Sequence, residues 1–279
     1  MKKRMINKIA GKIIAYAILI LLSVIFIYPL FWMLASSFRS LEEIAVAGTN
    51  LIIKKLDFKY YVKALSSFPF FLYLRNSVII AGVSIVATVF SNSLAGYAFA
   101  RFKVRGSGVL FMIVLSTMLL PSEVQLIPRF ILFKNLGMLD SLYPLFIMKF
   151  FGSAYYIFLF RQFYSRLPVG LEEAARLDGC SYFKIWWKIF LPLSRPIFTS
   201  VAVMEFMGTW NSFNDALIYI NSDRWKTLPL GLAGFQGTYS TSTNLLMAAS
   251  IVVILPCIIL FFSAQKVFIE GITFSGSKE

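Results

Sequence analysis

Residues 13–36 decide the fold class, and they read IIAYAILILLSVIFIYPLFWMLAS. The run contains no charged residue and is longer than the about 20 apolar residues that an α-helix needs to cross the hydrocarbon core of a bilayer. It is preceded by the basic residues Lys2, Lys3, Arg4, Lys8 and Lys12. A cleaved signal peptide also has a basic start, but its apolar region is shorter and ends in a small-residue site. The stretch is therefore predicted to be an uncleaved membrane-spanning helix.

The rest of the chain has the same character. Of its 279 residues, 58% are hydrophobic and 14% are charged, whereas soluble domains average about 25% charged residues. Five further apolar segments are long enough, or nearly long enough, to span a bilayer: Ser77–Ala100, Ser107–Ile127, Leu142–Phe160, Ile197–Ile220 and Leu245–Ala264. With Ile13–Ser36 as the first, they predict an all-α polytopic membrane protein of six transmembrane helices.

The segment Ser107–Ile127 is interrupted. Its apolar run ends at Pro121 and continues through Ser122, Glu123 and Gln125. A helix bent at a proline is tolerated in a membrane where protein or water satisfies the freed backbone groups. We therefore expect a bent third span whose outer end faces the interior of the helix bundle.

The basic residues predict the orientation of the chain. They are concentrated in the N-terminal tail and in two of the short loops, around residues 101–105 and 161–195. Short loops rich in Lys and Arg stay in the cytoplasm, so both termini and the loop after the fourth span are predicted to be cytoplasmic. The formal net charge of +14 is explained by this distribution. Since the cations form no continuous patch with interleaved aromatics, nucleic-acid binding is excluded.

The cytoplasmic loop at about 168–196 contains a short polar helix in an otherwise apolar chain. Pro168 suits its first turn, and Glu172 and Glu173 near that end favour the helix dipole. Leu171, Ala174, Ala175 and Asp178 share one face by their spacing, and the two alanines leave that face flat enough for another backbone to approach closely. Gly179 suits the left-handed position that ends a helix. We expect this helix to dock on a soluble partner.

A second helix is expected to begin at Ser181. It would present Phe183, Trp186 and Phe190 on one side, and Trp186 and Trp187 suit the level of the lipid headgroups. An amphipathic surface helix is the alternative interpretation of the loop. It explains the aromatic half but not the small-residue half, which has little apolar surface to bury in lipid.

The loop carries a motif of seven fixed positions: Glu173, Ala174, Ala175, Gly179, Ile189, Leu191 and Pro192. Their spacing resembles the signature loop of the permease subunits of binding-protein-dependent ABC importers. Asn76-Ser77 resembles the start of that family's permease domain. Trp210-Asn211 and Gly271-Ile272-Thr273 resemble its carbohydrate-uptake branch, the maltose-permease type. The last residues, from Ser275 to Glu279, depart from the usual family tail.

The resemblance implies a fold and a division of the chain. The fold is that of a type I ABC importer permease (MetI-like). Residues 1–71 would form the N-terminal tail, the first helix and a long extracytoplasmic loop; residues 72–264 the permease domain; and residues 265–279 a cytoplasmic tail. The loop, with Asp178 in its docking helix, would be the coupling helix that seats in a cleft of an ATP-hydrolysing subunit.

The resemblance also implies partners. They are a second homologous permease, two ATPase subunits, an extracytoplasmic substrate-binding protein, a carbohydrate substrate and the lipid bilayer of the cell membrane. The chain itself has no G-x-x-x-x-G-K-[ST] phosphate loop, so it is expected to be a transport subunit rather than an enzyme. It would need no cofactor of its own, because ATP and Mg would bind to the ATPase subunits.

Several polar residues lie within the predicted fourth and fifth spans. Ionisable residues inside membrane segments usually face the bundle interior or a cavity. We therefore expect the following to line a translocation path for a polyhydroxyl substrate: Lys149, Glu205, Trp210, Asn211, Asn214 and Asp215. The alternative is structural: an internal pair between Lys149 and Glu205 or Asp215, with hydrogen bonds between helices.

Two other functions are compatible with a polytopic chain. An ABC permease for a non-sugar solute would share the same loop. An ion-coupled secondary carrier would use Glu205 and Asp215 as relay carboxylates, but it has no use for a Glu-Ala-Ala loop and would usually show an inverted repeat, which is not evident. With no histidine in the sequence, zinc chemistry and a Ser-His-Asp triad are not expected.

Overall fold

A computed structural model describes residues 2–236 and 242–276, with side chains described for residues 11–236 and 242–265. Its elements are helices. In chain order they are α1 (Lys2–Ser37), α2 (Leu41–Ala47), α3 (Lys59–Ser66), α4 (Phe70–Arg101), α5 (Ser107–Ser116), a 3₁₀ turn (Thr117–Leu119), α6 (Ser122–Asn135), α7 (Tyr143–Phe146), a 3₁₀ segment (Ile147–Phe151), α8 (Ala154–Tyr164), α9 (Gly170–Leu177), α10 (Tyr182–Ile185), a π-helical turn (Trp186–Phe190), α11 (Leu191–Leu193), α12 (Arg195–Trp210), α13 (Asn214–Tyr219), a 3₁₀ turn (Asp223–Trp225), α14 (Leu228–Ala233) and α15 (Thr243–Gly276).

Within the described ranges, four helical segments are long and apolar enough to cross a membrane: Gly11–Ser37, Phe70–Arg101, Tyr143–Tyr164 and Thr243–Gln265. Two further pairs pass the same test as broken spans, namely Ser107–Leu119 with Ser122–Asn135, bent by 98°, and Tyr182–Leu193 with Arg195–Trp210, bent by 81°. Six spans result if each bent pair is one span.

The break in the third predicted span lies at Leu120 and Pro121. Leu120 has extended backbone angles and Pro121 precedes the first residue of α6. A residue before proline is disfavoured in the helical region, so the chain turns there. The predicted bend is present, and at 98° it separates two helices rather than kinking one. The outer end does not face the interior of this chain's bundle, because Glu123, Val124 and Ile127 are exposed.

The fifth predicted span, Ile197–Ile220, is wrong as a continuous helix. The helix α12 ends at Trp210, and a separate short helix, α13, begins at Asn214. The Ser212 hydroxyl donates a hydrogen bond to Asp215 Oδ2 at 3.1 Å, and Asn211 Nδ2 donates one to the Met207 carbonyl at 2.8 Å. Short polar side chains of this kind compete with the backbone and favour turns and caps over helix interiors.

The described chain forms two compact units. One comprises residues 70–231 with 256–279, and the other comprises residues 1–69 with 232–255. In the first, α4 is the central helix and packs against α8 and α12. The core beside these helices is aromatic and includes Tyr97, Phe160, Tyr164, Trp186 and Phe190.

Gly96 sets the closeness of α4 to α8. A Cβ atom at this position would lie 2.5 Å from Phe160 Cβ and 3.0 Å from the Arg161 backbone nitrogen. Such distances are well inside van der Waals contact, so only glycine allows the two helices to pack this closely.

The second unit packs around a smaller core. Ala64 of α3 is buried with Phe235 and with Leu245, Ala248 and Ala249 of α15. The long helix α1 also belongs to this unit. Its side chains are exposed from Gly11 to Phe31, and the helix becomes buried only near Ala35.

The helix α15 continues to Gly276, so the predicted cytoplasmic tail is helical over its described backbone. The side chains of the tail motif Gly271-Ile272-Thr273, and of the basic residues from Lys2 to Lys8, lie outside the described side chains. Residues 277–279 lie outside the described residues altogether.

Candidate coupling loop and polar cavity

The predicted end of the docking helix is confirmed. The helix α9 ends at Leu177, and Gly179 follows it with a φ of +76°. The Gly179 N–H donates to the Arg176 carbonyl at 3.0 Å, and the Cys180 N–H donates to the Ala175 carbonyl at 3.0 Å. These two bonds satisfy carbonyls that the end of the helix leaves free.

The two alanines of the motif do not share an exposed face, which corrects the expectation of a flat surface that includes both. Glu173, Ala174, Asp178 and Gly179 are exposed. Ala175 is buried in the aromatic core of its own chain, with 7% of its surface exposed. The outward surface of α9 is completed by Leu177, which is 90% exposed.

Glu172 is a site residue that the sequence did not single out beyond its place near the helix start. It is buried, and its Oε2 lies 3.8 Å from Nε of Arg101, the last residue of α4. The same guanidinium donates hydrogen bonds to the carbonyls of Tyr164 at 2.8 Å and Leu167 at 2.6 Å. Arg101 therefore ties the end of α4 to the chain that enters the loop, and its Nε faces Glu172 of α9.

The second helix of the loop begins where predicted. Ser181 caps α10, because its hydroxyl accepts a bond from the Lys184 N–H. Trp186 and Phe190 are buried, and the Trp186 indole donates to Ser93 Oγ at 2.9 Å. Phe183 does not join them, since it is 60% exposed.

The last motif positions follow a π-helical turn. Ile189 lies within that turn and is half-buried, as is Leu191 directly after it, while Pro192 is exposed. The Leu191 N–H reaches back to the Trp186 carbonyl. Pro192 has no N–H to donate and its ring crowds the preceding turn, which accounts for the widened turn before it.

The predicted internal ion pair is formed by Lys149 and Glu205. Lys149 Nζ lies 2.8 Å from Glu205 Oε1, and the Thr209 hydroxyl donates to the same oxygen at 2.9 Å. The Glu205 side chain is 3% exposed, whereas 39% of the Lys149 side chain is accessible. The pair therefore joins the 3₁₀ segment after α7 to α12 and leaves part of the ammonium accessible.

Lys149 and Asp215 line one small cavity of about 50 Å³. Its other lining residues are mainly small and polar: Ser77, Ile80, Leu145, Gly208, Thr209, Ser212 and Thr227. None of these hydroxyl residues was among the predicted path residues. Their only sequence signal is a Ser or Thr next to a predicted path residue, as at Thr209 and Ser212.

The other predicted path residues do not line this cavity. Trp210 is buried and stacks on Phe206, with ring centroids 5.1 Å apart. Asn211 and Asn214 are exposed on either side of the break between α12 and α13. The structure thus pairs Lys149 with Glu205 and places Lys149 and Asp215 on one cavity, which Trp210, Asn211 and Asn214 do not line.

Asp140 joins two loops near the far end of α13. Its Oδ1 accepts hydrogen bonds from the N–H groups of Ser222 at 2.8 Å and Asn221 at 3.0 Å, and its own N–H donates to the Tyr219 carbonyl. The backbone bonds from Ser222 and then Asn221 lower the pKa of the Asp140 carboxyl below its usual value. Sequence reasoning did not identify this contact.

Curated relatives resemble the chain along almost all of its length. The arabinooligosaccharides transport system permease protein AraQ of Bacillus subtilis (strain 168) is 34% identical over 261 residues, which are 92% of each chain. The trehalose/maltose transport system permease protein MalG of Thermococcus litoralis is 34% identical over 262 residues, or 91% of this chain and 92% of the relative.

A solved structure shows the same fold. It is a bacterial ABC transporter involved in the import of the acidic polysaccharide alginate, and one of its chains matches with a TM-score of 0.81 at 23% identity. The match covers 93% of this chain and 96% of that one.

The family model described as "Binding-protein-dependent transport system inner membrane component" matches residues 8–273. This range contains the apolar spans, the Glu-Ala-Ala loop and the polar cavity. The chain is therefore a multi-pass protein of the cell membrane and belongs to the family of inner membrane components of binding-protein-dependent transport systems.

Proposed function

We propose that this chain is one permease subunit of an ATP-driven importer for a sugar or oligosaccharide. Family membership implies a substrate-binding protein and an ATPase as partners in general. The observation that carries the sugar assignment is that relatives at 34% identity, matched over more than 90% of the chain, are named as permeases for arabinooligosaccharides and for trehalose and maltose.

The loop at about 168–196 is proposed to couple the chain to ATP hydrolysis on separate subunits. The protruding surface of α9 supports this proposal, because Glu173, Ala174 and Leu177 are exposed side by side while Ala175 is anchored in the core. A highly exposed leucine between charged residues is suited to burial against a soluble protein. Because Ala175 anchors the opposite face of α9 in the core, a force applied to α9 by a partner would be transmitted to the membrane spans.

The full assembly is proposed to contain a second homologous permease and two ATPase subunits, with ATP and Mg bound there. Each bent helix pair would count as one span, giving six, and both termini would be cytoplasmic. The basic loops around residues 101–105 and 161–195 support this orientation. The loop around α9 would then face the ATPase subunits.

The path residues are proposed to act in two groups. A polar wall of the path would be contributed by Lys149, Glu205 and Asp215. The exposed amides at the break between α12 and α13, Asn211 and Asn214, would face the path or the partner permease. The cavity of about 50 Å³ is far below the about 300 Å³ at which small-molecule sites begin. A sugar would therefore be enclosed only between this chain and the second permease.

Copurification and energetics test the proposal. With the chain tagged, an ATPase and a second permease should copurify, and sugar uptake should persist after the ion gradient is collapsed but stop when ATP is depleted. Glu173→Arg should abolish recovery of the ATPase. Glu42→Arg, a matched exposed glutamate in the first turn of α2, should leave it unchanged. Uptake by the chain alone, driven by an ion gradient, would instead establish the secondary carrier.

The cargo is tested through the binding protein. Titration of the cognate substrate-binding protein with a panel of neutral oligosaccharides, uronate oligomers and non-sugar solutes should give saturable binding of a sugar. If only a non-sugar solute binds, the family assignment would stand, but the proposed cargo would be that solute instead of a carbohydrate.

A further inference from the structure

Three buried polar groups meet where α4 ends against the coupling loop. Arg101 is the last residue of α4, Tyr97 lies one turn earlier, and Glu172 lies in the first turn of α9. The side chains of Arg101 and Glu172 are 6% and 11% exposed, and Tyr97 is 1% exposed. Tyr97 and Arg101 contact the same buried ring, since the Phe190 ring centroid lies 4.8 Å from that of Tyr97 and 4.9 Å from the Arg101 guanidinium carbon.

The two donors in this cluster lack hydrogen-bond acceptors. Among the described side chains, Arg101 Nε and the Tyr97 hydroxyl are both fully buried polar atoms without a hydrogen bond. Buried polar groups in native proteins are nearly always paired, so each exception calls for an explanation. Here the two exceptions lie one turn apart on α4 beside the Phe190 ring, and one of them, Arg101 Nε, faces the Glu172 carboxylate.

The separation from that carboxylate is small. Arg101 Nε lies 3.8 Å from Glu172 Oε2, whereas a charge-assisted N–H···O bond closes at about 2.7–2.9 Å. A shift of α9 toward α4 by about 1 Å would form that bond. The other guanidinium bonds, to the carbonyls of Tyr164 and Leu167, hold Arg101 in place, so the moving partner would be Glu172 on α9.

We propose that Glu172, Arg101 and Tyr97 form a latch that is open in this structure and closes in a second state of the transport cycle. In the closed state the Glu172 carboxylate accepts bonds from Arg101 Nε and from the Tyr97 hydroxyl, which locks α9 to α4. The inference rests on the proposed function of α9 as the coupling helix. Its three members are positioning residues, since they act on the path through α4.

The latch would connect the coupling loop with the polar cavity. The helix α4 runs without interruption from Phe70 to Arg101. Near its opposite end, Ser77 lines the cavity and its hydroxyl accepts a bond from the Leu228 N–H at 2.9 Å. Asn76 donates to the carbonyls of Arg224 and Lys226. If α9 is locked to α4, a displacement of α9 would therefore move α4, and α4 would pass the movement on to the turn at residues 224–228.

Tyr97→Phe is the decisive variant, because it removes only the unpaired hydroxyl. The ring, which packs on Phe190 at 4.8 Å, is kept. If the role of Tyr97 were only structural, deletion of its unsatisfied buried hydroxyl would leave the stability of the protein unchanged or increase it. Ser84→Ala is the matched control, since Ser84 is also buried on α4 with an unpaired hydroxyl and lies about three and a half turns before Tyr97, the nearest member of the latch on that helix.

The measurement uses the complete transporter in proteoliposomes, with binding protein, sugar and ATP saturating. Tyr97→Phe should lower the uptake rate per transporter about tenfold, the factor that corresponds to one hydrogen bond to a charged group. The amount of ATP hydrolysed per sugar imported should rise and the ATPase should remain bound. Glu172→Gln should do the same, and the double variant should lose no more than the stronger single one.

Two results would overturn the latch. One is an uptake rate for Tyr97→Phe within twofold of that of Ser84→Ala and wild type, at an unchanged ratio of ATP to sugar. The other is a lower yield of transporter with unchanged uptake per transporter, which would indicate a purely structural cluster. Failure of the proposed function is distinguishable, because the wild-type assembly would then show no ATP-driven uptake.

Discussion

Two regions of the same helical unit are built in opposite ways. Beneath the proposed coupling loop, Tyr97 of α4 and Tyr164 of α8 fill an aromatic core together with Trp186 and Phe190. Around the polar cavity, the neighbouring helices break at Gly152 and again after Trp210. A close-packed aromatic core transmits displacement, whereas interrupted helices expose backbone groups and create room for polar side chains. Coupling and passage of a substrate, the roles proposed for these two regions, would thus make different demands on one bundle.

The broken region remains tolerable in a membrane because α4 satisfies its backbone. Asn92 Oδ1 accepts a bond from the Ser153 N–H at 2.6 Å, and the Ser91 hydroxyl donates to the Lys149 carbonyl at 3.0 Å. Irregular backbone at membrane depth persists only where protein or water supplies such partners. The central helix therefore serves both regions, by packing in one and by hydrogen bonding in the other.

The largest effect is expected from breaking the packed region at Gly96. Gly96→Val places a branched side chain where a single Cβ would already meet Phe160 at 2.5 Å. Overpacking costs about 1–3 kcal/mol for small insertions, and a valine here should cost more and remove the protein from the membrane. Immunoblots of membrane fractions measure it. Gly82→Ala, in open space on the same helix, should retain full levels, and normal levels of Gly96→Val would refute the close-contact argument.

The next effect separates coupling from folding. Gly179→Val should leave the protein in the membrane but abolish uptake. A Cβ meets nothing within 4 Å at this position, so the cost is the backbone strain of a β-branched residue at φ +76°, about 1–2 kcal/mol. That strain should displace the end of the coupling helix, and radiolabelled sugar uptake per membrane-bound protein measures the loss.

Gly106→Val is the matched control for that substitution. Gly106 has a φ of +84° and equally open surroundings, but it precedes α5. It should carry a similar strain and retain most of the uptake. Equal losses in both variants, or wild-type uptake and stimulated ATP hydrolysis in Gly179→Val, would contradict the assignment of the loop.

A smaller effect should sharpen the description of the polar region. Lys149→Met leaves the buried Glu205 carboxylate without its cation, and breaking one side of a buried pair costs about 3–5 kcal/mol. Because Lys149 is 39% accessible, water reduces that cost. Glu205→Gln should be milder, and the double variant Lys149→Met/Glu205→Gln should recover stability. Thermal unfolding in detergent measures the stability of each variant, and uptake assays measure its activity. A double variant that is less stable than Lys149→Met would mean that the pair does not act as a unit.

The local structure of the proposed coupling loop was predictable in outline because its signals are local. Gly179 and Ser181 set the helix boundary through their own backbone and side-chain geometry, without help from distant residues. The burial of Ala175 and Glu172 was not predictable in this way. Glu172 faces Arg101 at the end of α4, and Ala175 lies in one buried cluster with Tyr97 of α4, more than 70 residues earlier in the chain. Helical periodicity cannot say which face of α9 meets such a distant helix.

The polar cavity was harder to predict because its residues act against the helical pattern. Composition alone extended the fifth span through Asn211 and Asp215, whereas side-chain hydrogen bonds end α12 at Trp210. A pair between Lys149 and either Glu205 or Asp215 was one of the two predicted alternatives, because an unpaired charge in an apolar segment needs a partner. The hydroxyl groups of Thr209 and Ser212 gave no such signal, since Ser and Thr are common in membrane helices and can bond within their own turn.

The first helix has a consequence for how this chain changes over time. Between Gly11 and Phe31, every side chain of α1 is exposed on its own chain, so no core of this protein has to match its shape. Substitutions there are filtered by transfer into lipid and by total length, which many apolar residues satisfy equally well. Sequence drift among relatives should therefore be fast in α1 and slow in α4, where a single methyl group at Gly96 meets a neighbouring helix.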